Sequence, residues 1–248
     1  MFSFFKKRKQ NFIELGIGSY DVPKDYQKKF IEDIIVPCKN FLPTWFKTQR
    51  PEETIKFYNK GGSSNHQPRN TKYCPAFIDL FKNSYAIKSP CDWYLETNTQ
   101  NGYKFESSSP DVLKAHNHNI VKQMNGFGNG NIFNLKLEID IRIRSTKNLT
   151  KLLFLPPYYY NPTFPLTLLS GTLPLLPYPS AALNVNYTYS KTQKIQHYCK
   201  KGDVIALLYS VSNKIYPIKT SFGNYTYNDH KFLGSYIHYL KKWNWTKN

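Results

Sequence analysis

The chain has 248 residues and carries 34 Lys plus Arg against 16 Asp plus Glu, a formal charge of +18, with 17% aromatic and 40% apolar residues. That length is ample for one large β domain or two small ones, and its apolar content excludes wholesale disorder, which pairs low hydrophobicity with high charge. The composition also excludes collagen-like and coiled-coil architectures.

The charge needs a discount before it is used. Lys far outnumbers Arg, and Asn, Tyr, Phe and Ile are abundant. AT-rich coding supplies that residue set, but it does not explain the scarcity of acids. Residues 1–140 hold 20 bases and 14 acids, whereas residues 141–248 hold 14 bases and two acids, Asp203 and Asp229. The halves therefore carry +6 and +12. A half-chain field of that sign attracts nucleic acid or an acidic protein surface.

Residues 1–19 read as a loose basic start, with Phe4-Phe5 ahead of Lys6-Lys7-Arg8-Lys9. No apolar h-region follows those charges, so no secretory signal is expected. A non-secreted location is therefore expected. Cys38, Cys74, Cys91 and Cys199 form no C-x-x-C pair and are expected to be free thiols in a reducing interior. The sequons at Asn148, Asn186, Asn224 and Asn244 are then expected to stay unmodified.

From Asp21 to Val36, Tyr26, Phe30, Ile31, Ile34 and Ile35 recur at helical spacing, with Pro23 in the first turn and Pro37 as the stop. The aromatic knot Phe41 to Phe46 follows, and then a polar loop from Lys60 to Lys72. Gly61-Gly62 in that loop lacks the G-K-[ST] of a phosphate-cradling P-loop. A second helix is predicted over Cys74–Asn83, and strands follow it. Asn101-Gly102 signals a hairpin between Tyr94-Leu95-Glu96 and Tyr103-Lys104-Phe105.

Between Ile132 and Ile143, apolar residues alternate with Lys136, Glu138, Asp140 and Arg142, which predicts a strand with one buried face. Residues 152–190 are uncharged, but seven prolines there forbid a membrane-spanning helix and favour short strands and turns. Lys200-Lys201-Gly202-Asp203 turns into a strand from Val204 to Tyr209. Phe232, Tyr236, Tyr239, Leu240 and Trp243 space as a helix face. The expected architecture is mainly β, an antiparallel sandwich, jelly-roll or β-clip-like domain over 73–225. A basic tail, helix and loop over 1–72 precede it, and a C-terminal helix over 226–248 follows it.

Three groups of residues carry a resemblance. Cys74-Pro75-Ala76-Phe77-Ile78-Asp79 is followed by Lys88-Ser89-Pro90-Cys91-Asp92. Arg144-Ser145-Thr146 leads to Leu153-Phe154-Leu155-Pro156-Pro157. Leu169-Ser170-Gly171 and Asn184 precede Lys201-Gly202-Asp203-Val204-Ile205-Ala206. Over residues 73–210 the series resembles a family of uncharacterised proteins from tailed phages of marine bacteria and some bacteria. The resemblance implies a compact β protein with no assigned activity, located in the cytoplasm of the infected or producing cell or associated with a virion. The stretch Lys201 to Leu208 is also similar to the last strand of the β-clip fold of dUTPases and dCTP deaminases. Their water-activating acid has no counterpart, because residues 141–202 contain no Asp or Glu.

Candidate chemistry is sparse. His116 and His118, two apart on one strand face, could ligate a metal with His197 as a distant third, as in cupins. The Glu that cupins add is replaced by Lys122 or Gln123. Cys199 lies two residues from His197, but only Asp203 is near in sequence to orient a base. Arg142, Arg144, Lys147, Lys151, Lys200, Lys201, Lys241 and Lys242 are the candidate anion-binding residues, with Tyr158-Tyr159-Tyr160 offering ring faces to bases. The expected function is a non-catalytic, phage-type accessory or structural protein that needs no cofactor and binds a nucleic acid or an acidic protein surface. A metal-dependent cupin-like enzyme and a nucleotide-binding β-clip protein are the alternatives.

Overall fold

Alternation along Ile132–Ser145 organises the molecule, because a period of two gives a strand one face for a core. Leu135, Leu137, Ile139 and Ile141 are fully buried, while Lys136, Glu138 and Asp140 between them are partly exposed. Each buried Leu or Ile contributes roughly 1.5–3 kcal/mol relative to exposure. The computed structural model describes residues 13–17, 30, 32–48, 74–98, 102–117, 130–145, 151–174, 182–212 and 214–220.

Among these, the strands in chain order are β1 (Ile13–Ile17), β2 (Ile35–Pro37), β3 (Ser84–Lys88), β4 (Trp93–Asn98), β5 (Gly102–Ser107), β6 (Leu113–Asn117) and β7 (Ile132–Ser145). They continue with β8 (Lys151–Leu155), β9 (Thr167–Leu168), β10 (Thr172–Pro174), β11 (Ala182–Ser190), β12 (Gln196–Cys199), β13 (Val204–Ser210) and β14 (Ile218–Thr220). Helices α1 (Thr44–Thr48) and α2 (Pro75–Lys82) and a 3-10 turn at Cys38–Asn40 complete the described elements.

The strands build a mainly antiparallel β-sandwich. One sheet runs β14-β1-β7-β11-β9, with β6 also paired to β7. The second runs β10-β8-β13-β3-β2, and a third, smaller one runs β12-β4-β5. At 14 residues, β7 is long enough to pair with β11 along one edge and with β1 and β6 end to end on the other. The β1–β14 pair is parallel. One core draws on all three sheets, joining Leu15, Leu137 and Val185 to Ile87 and Leu208, and these to Trp93 and Leu95.

A smaller apolar cluster lies on the other face of the second sheet. There Ala86, Val204 and Leu207 are covered by Cys38, Phe46 and Phe81, with Phe41, Phe77, Tyr159 and Tyr160 packed around them. Helix α2 forms as the sequence predicts, with Pro75 at its first turn and Phe81 as its buried anchor.

The hairpin at Gly102 is also present, linking β4 to β5, and Gly102 has φ 90. That left-handed backbone is one glycine adopts without the steric cost a Cβ brings.

Two expectations at the N-terminus are corrected. Ile13–Ile17 is a strand between β7 and β14, not a frayed start, because Ile13 and Leu15 bury one face in the core. Residues 30 and 32–34 are helical, but Ile35–Pro37 pairs with β3. The β-branched run Ile34-Ile35-Val36 favours a strand, and Ile35 enters the core opposite Ile87. The segment ahead of residue 73 thus contributes two strands to the sandwich. The expected helix from Phe232 to Trp245, and the boundaries at 72/73 and 225/226, lie outside the described residues. No described helix is long and apolar enough to cross a membrane.

Candidate anion-binding end of the sandwich

Three loops meet where β13 begins. The β3–β4 loop brings Ser89 to Asp92, the β5–β6 loop brings Ser108 to Val112, and the β12–β13 turn brings Lys200 to Asp203. Backbone hydrogen bonds lock the first to the third. Ser89 donates its N–H to the Asp203 carbonyl at 2.7 Å, and Gly202 donates its N–H to the Ser89 carbonyl at 2.9 Å. The carboxylates of Asp92 and Asp203 serve the turn's backbone. Asp92 Oδ1 accepts from Lys201 N at 2.7 Å, and Asp203 Oδ2 accepts from Lys200 N at 2.9 Å. Gly202 has φ 93, a conformation that a Cβ penalises. The turn is thereby fixed with both lysine residues exposed.

The β5–β6 loop is tied in through Ser108, whose N–H reaches the Asp92 carbonyl at 3.0 Å, and through Ser107 Oγ, 3.2 Å from Cys91 Sγ. Between these loops is an open cavity of about 130 Å³ lined by Phe30, Pro90, Cys91, Asp92, Ser108, Ser109, Val112 and Lys201. It falls well short of the ~300 Å³ at which pockets begin to bury a drug-sized ligand. Its chemistry suits a small polar group brought by something larger.

Lys88 connects this end to the aromatic cover. It pairs in register with Val204, and a Cβ built on Gly202 would lie 3.9 Å from its Cε. Its Nζ lies 5.1 Å from the Phe41 ring centroid, within cation–π range. Phe41 stacks on Tyr160 at 5.6 Å with planes 4° apart, and Tyr160 donates its hydroxyl to the Phe41 carbonyl at 2.7 Å. Trp45 donates Nε1–H to the Tyr159 carbonyl at 2.6 Å and meets Phe77 edge-on at 5.9 Å. Trp45, Ile78 and Tyr158 remain 36, 45 and 50% exposed.

Over residues 38–48, 75–92, 108–112, 156–161 and 200–203, six lysines (Lys39, Lys47, Lys82, Lys88, Lys200, Lys201) face four aspartates (Asp79, Asp92, Asp111, Asp203). Asp79 is also engaged, accepting from Asn83 Nδ2 at 2.7 Å and from the Tyr209 hydroxyl.

The anion-binding residues read from the sequence do not form one patch. Lys151 opens β8 beside the end of β13, its carbonyl accepting from Val211 N at 3.3 Å, while Lys200 and Lys201 precede the start of β13. Seven strand residues separate those ends, about 20 Å at the usual rise. Arg142 and Arg144 lie near the end of β7, Arg142 opposite Gly16 and Arg144 opposite Glu14. Lys147, Lys241 and Lys242 lie outside the described residues.

Of the three candidate metal ligands, His118 also lies outside them. His116 sits on β6 opposite Lys136, with Nε2 3.7 Å from Glu138 Oε2, an oxygen that also takes Lys136 Nζ at 3.0 Å. His197 sits on β12, in a different sheet, between the rings of Trp93 at 5.4 Å and Phe164 at 5.3 Å. Burial lowers its pKa. No group of three His, Cys, Asp or Glu among the described residues is arranged to hold a metal ion. Cys199 is fully buried, and burial pushes its thiol up to about 12, which opposes thiolate formation at neutral pH.

Lys88 and Phe41 belong to the site but were not singled out as functional in the sequence. Phe41 had a signal, the aromatic density of residues 41–46. Lys88 had none, because its position depends on the pairing of β3 with β13. No family model, curated protein or solved structure matches the chain.

Proposed function

We propose that this protein is a non-catalytic accessory or structural protein, of the phage type its sequence resembles, and that it binds an anionic partner through the end of the sandwich carrying the Lys200–Asp203 turn. One observation carries the reading. Asp92 and Asp203 hydrogen-bond to the backbone of the turn, while Lys200 and Lys201 stand exposed on that locked turn beside a lysine-rimmed aromatic surface. A pinned turn presents its charges at little further entropic cost when a partner binds. Two of the described groups with nucleophile or base character have structural surroundings instead. The Cys199 thiol is buried, and His197 is wedged between aromatic rings.

Heparin affinity chromatography tests this. The wild-type protein is expected to be retained at low salt and to elute as salt screens the contact. A Lys200→Glu/Lys201→Glu variant should elute at clearly lower salt, and Lys151→Glu, at the other end of β13, should elute close to wild type. Flow-through of the wild type at low salt, or an equal shift for both variants, overturns the assignment.

A further inference from the structure

We propose that the anionic partner is single-stranded nucleic acid, with bases stacking on the aromatic cover and phosphates following the lysines. This ligand assignment presupposes the anion-binding role inferred above. A continuous series of rings leads away from the basic turn. Lys88 joins the turn to Phe41, Phe41 stacks on Tyr160, Tyr160 meets Phe81 at 6.1 Å, and Phe81 meets Trp45 at 6.4 Å. Phe81 is buried and braces the series from beneath, so the faces open to a base are chiefly those of Trp45 and Tyr158. The rings are held in place, Trp45 by its bond to the Tyr159 carbonyl and Tyr160 by its bond to the Phe41 carbonyl. Trp45 and Tyr158 keep substantial exposed surface, and exposed Lys39, Lys82, Lys200 and Lys201 flank the series.

That combination selects among anions. An acidic protein surface offers carboxylates to lysines but no regular supply of flat rings. A duplex offers phosphates but keeps its base faces stacked inside. Only a single strand presents phosphates together with base faces free to stack, and because every base has a π face, such binding tolerates sequence.

Fluorescence anisotropy with a fluorescein-labelled oligo-dT of about 12 nucleotides, a length within the roughly 4–16 nucleotides covered by a single-strand binding module, at low salt provides the test. A duplex of the same length and poly-L-glutamate serve as competitors. The expected result is displacement by unlabelled oligo-dT at far lower concentration than by duplex or polyglutamate. Tyr158→Ala should weaken binding about fivefold or more, the lower end of one lost base stack, while Tyr158→Phe, which keeps the ring, should bind like wild type. Tyr158 is half exposed, so circular dichroism should show both variants folded. Equal competition by duplex or polyglutamate, or full binding by Tyr158→Ala, overturns the single-strand assignment and leaves the anion-binding role standing. No binding of oligo-dT, duplex or polyglutamate overturns both.

Discussion

Replacing Gly202 by Ala tests whether the lysine turn is held as its geometry requires. Gly202 sits at φ 93, where an L side chain is strained even with room around it. Room exists, because the nearest heavy atom to an added Cβ is Lys88 Cε at 3.9 Å, an ordinary van der Waals distance. The cost is therefore conformational and not a clash. A single non-glycine residue forced into the left-handed region costs about 1–2 kcal/mol, more than the 0.4–1 kcal/mol that loss of glycine freedom returns through the unfolded chain. The middles of the two ranges leave a net cost of about 0.8 kcal/mol, and at about 2–4 °C per kcal/mol for a chain of this size the expected fall is roughly 2–3 °C. The turn can escape the strain only by moving, which would break the Gly202–Ser89 bond and reorient Lys201. Heparin retention should then fall together with Tm. Differential scanning calorimetry measures Tm, and the elution salt measures retention. Gly171→Ala is the control, since Gly171 has no positive φ and nothing within 4 Å of an added Cβ. A Gly202→Ala protein melting with wild type, or a Gly171→Ala protein falling as far, would refute the reasoning.

Two further outcomes follow from buried groups. Tyr187 is fully buried and donates its hydroxyl to the Ile205 carbonyl at 2.6 Å, so Tyr187→Phe leaves a buried acceptor unpaired and should cost about 1–3 kcal/mol in urea unfolding; an unchanged midpoint would show that the bond adds nothing. Burial raises the thiols of Cys38 and Cys199 from 9.0 to about 12, so above pH 9 the unfolded chain loses protons that the folded chain keeps, and stability falls as pH rises. Each thiol contributes about 1.4 kcal/mol per pH unit across that window. A Cys38→Ala/Cys199→Ala variant should therefore show a shallower decline in Tm between pH 9 and pH 11, and parallel declines would count against burial as the cause.

What the sequence made legible was local. The alternation of Ile132 to Ile143 is a property of neighbours, and it located β7 and its buried face. Asn101-Gly102 located a hairpin, in which Gly102 opens β5 opposite Asn98. Helix α2 is equally local, whereas the Lys200–Asp203 turn, marked in sequence by Lys-Gly-Asp, is completed by Ser89 and Asp92 from another loop. Short strands whose existence depends on distant partners were hidden. Ile35–Pro37 continues a helical spacing in sequence, and only Ser84–Lys88 alongside it makes a strand. Gln196–Cys199 has no run of its own and exists because Trp93 to Glu96 pairs with it. The same limit governs the site. Sequence listed basic residues but could not tell that the register of β8 on β13 sends Lys151 to the end opposite Lys201. Nor could it tell that β3 carries Lys88 to the lysine turn.

The role of the charge changes once the fold is known. A total of +18 suggests a uniformly basic surface. The sandwich divides it instead, leaving Lys151 near one end of β13 and the lysine turn at the other. At the turn end the excess is moderate, six lysines to four aspartates, so binding there depends on arrangement more than on bulk charge. Asp92 and Asp203 weaken the local field but fix the backbone of Lys200 and Lys201. Removing either carboxylate would raise the net charge and release the turn at the same time. If bulk attraction governs binding, Asp92→Asn should strengthen heparin retention; if the fixed turn governs it, the loss of order should offset the added charge. The second outcome is expected, because the aspartate at position 92 accepts a 2.7 Å charge-assisted bond from a backbone N–H, stronger than the one an Asn carbonyl would accept.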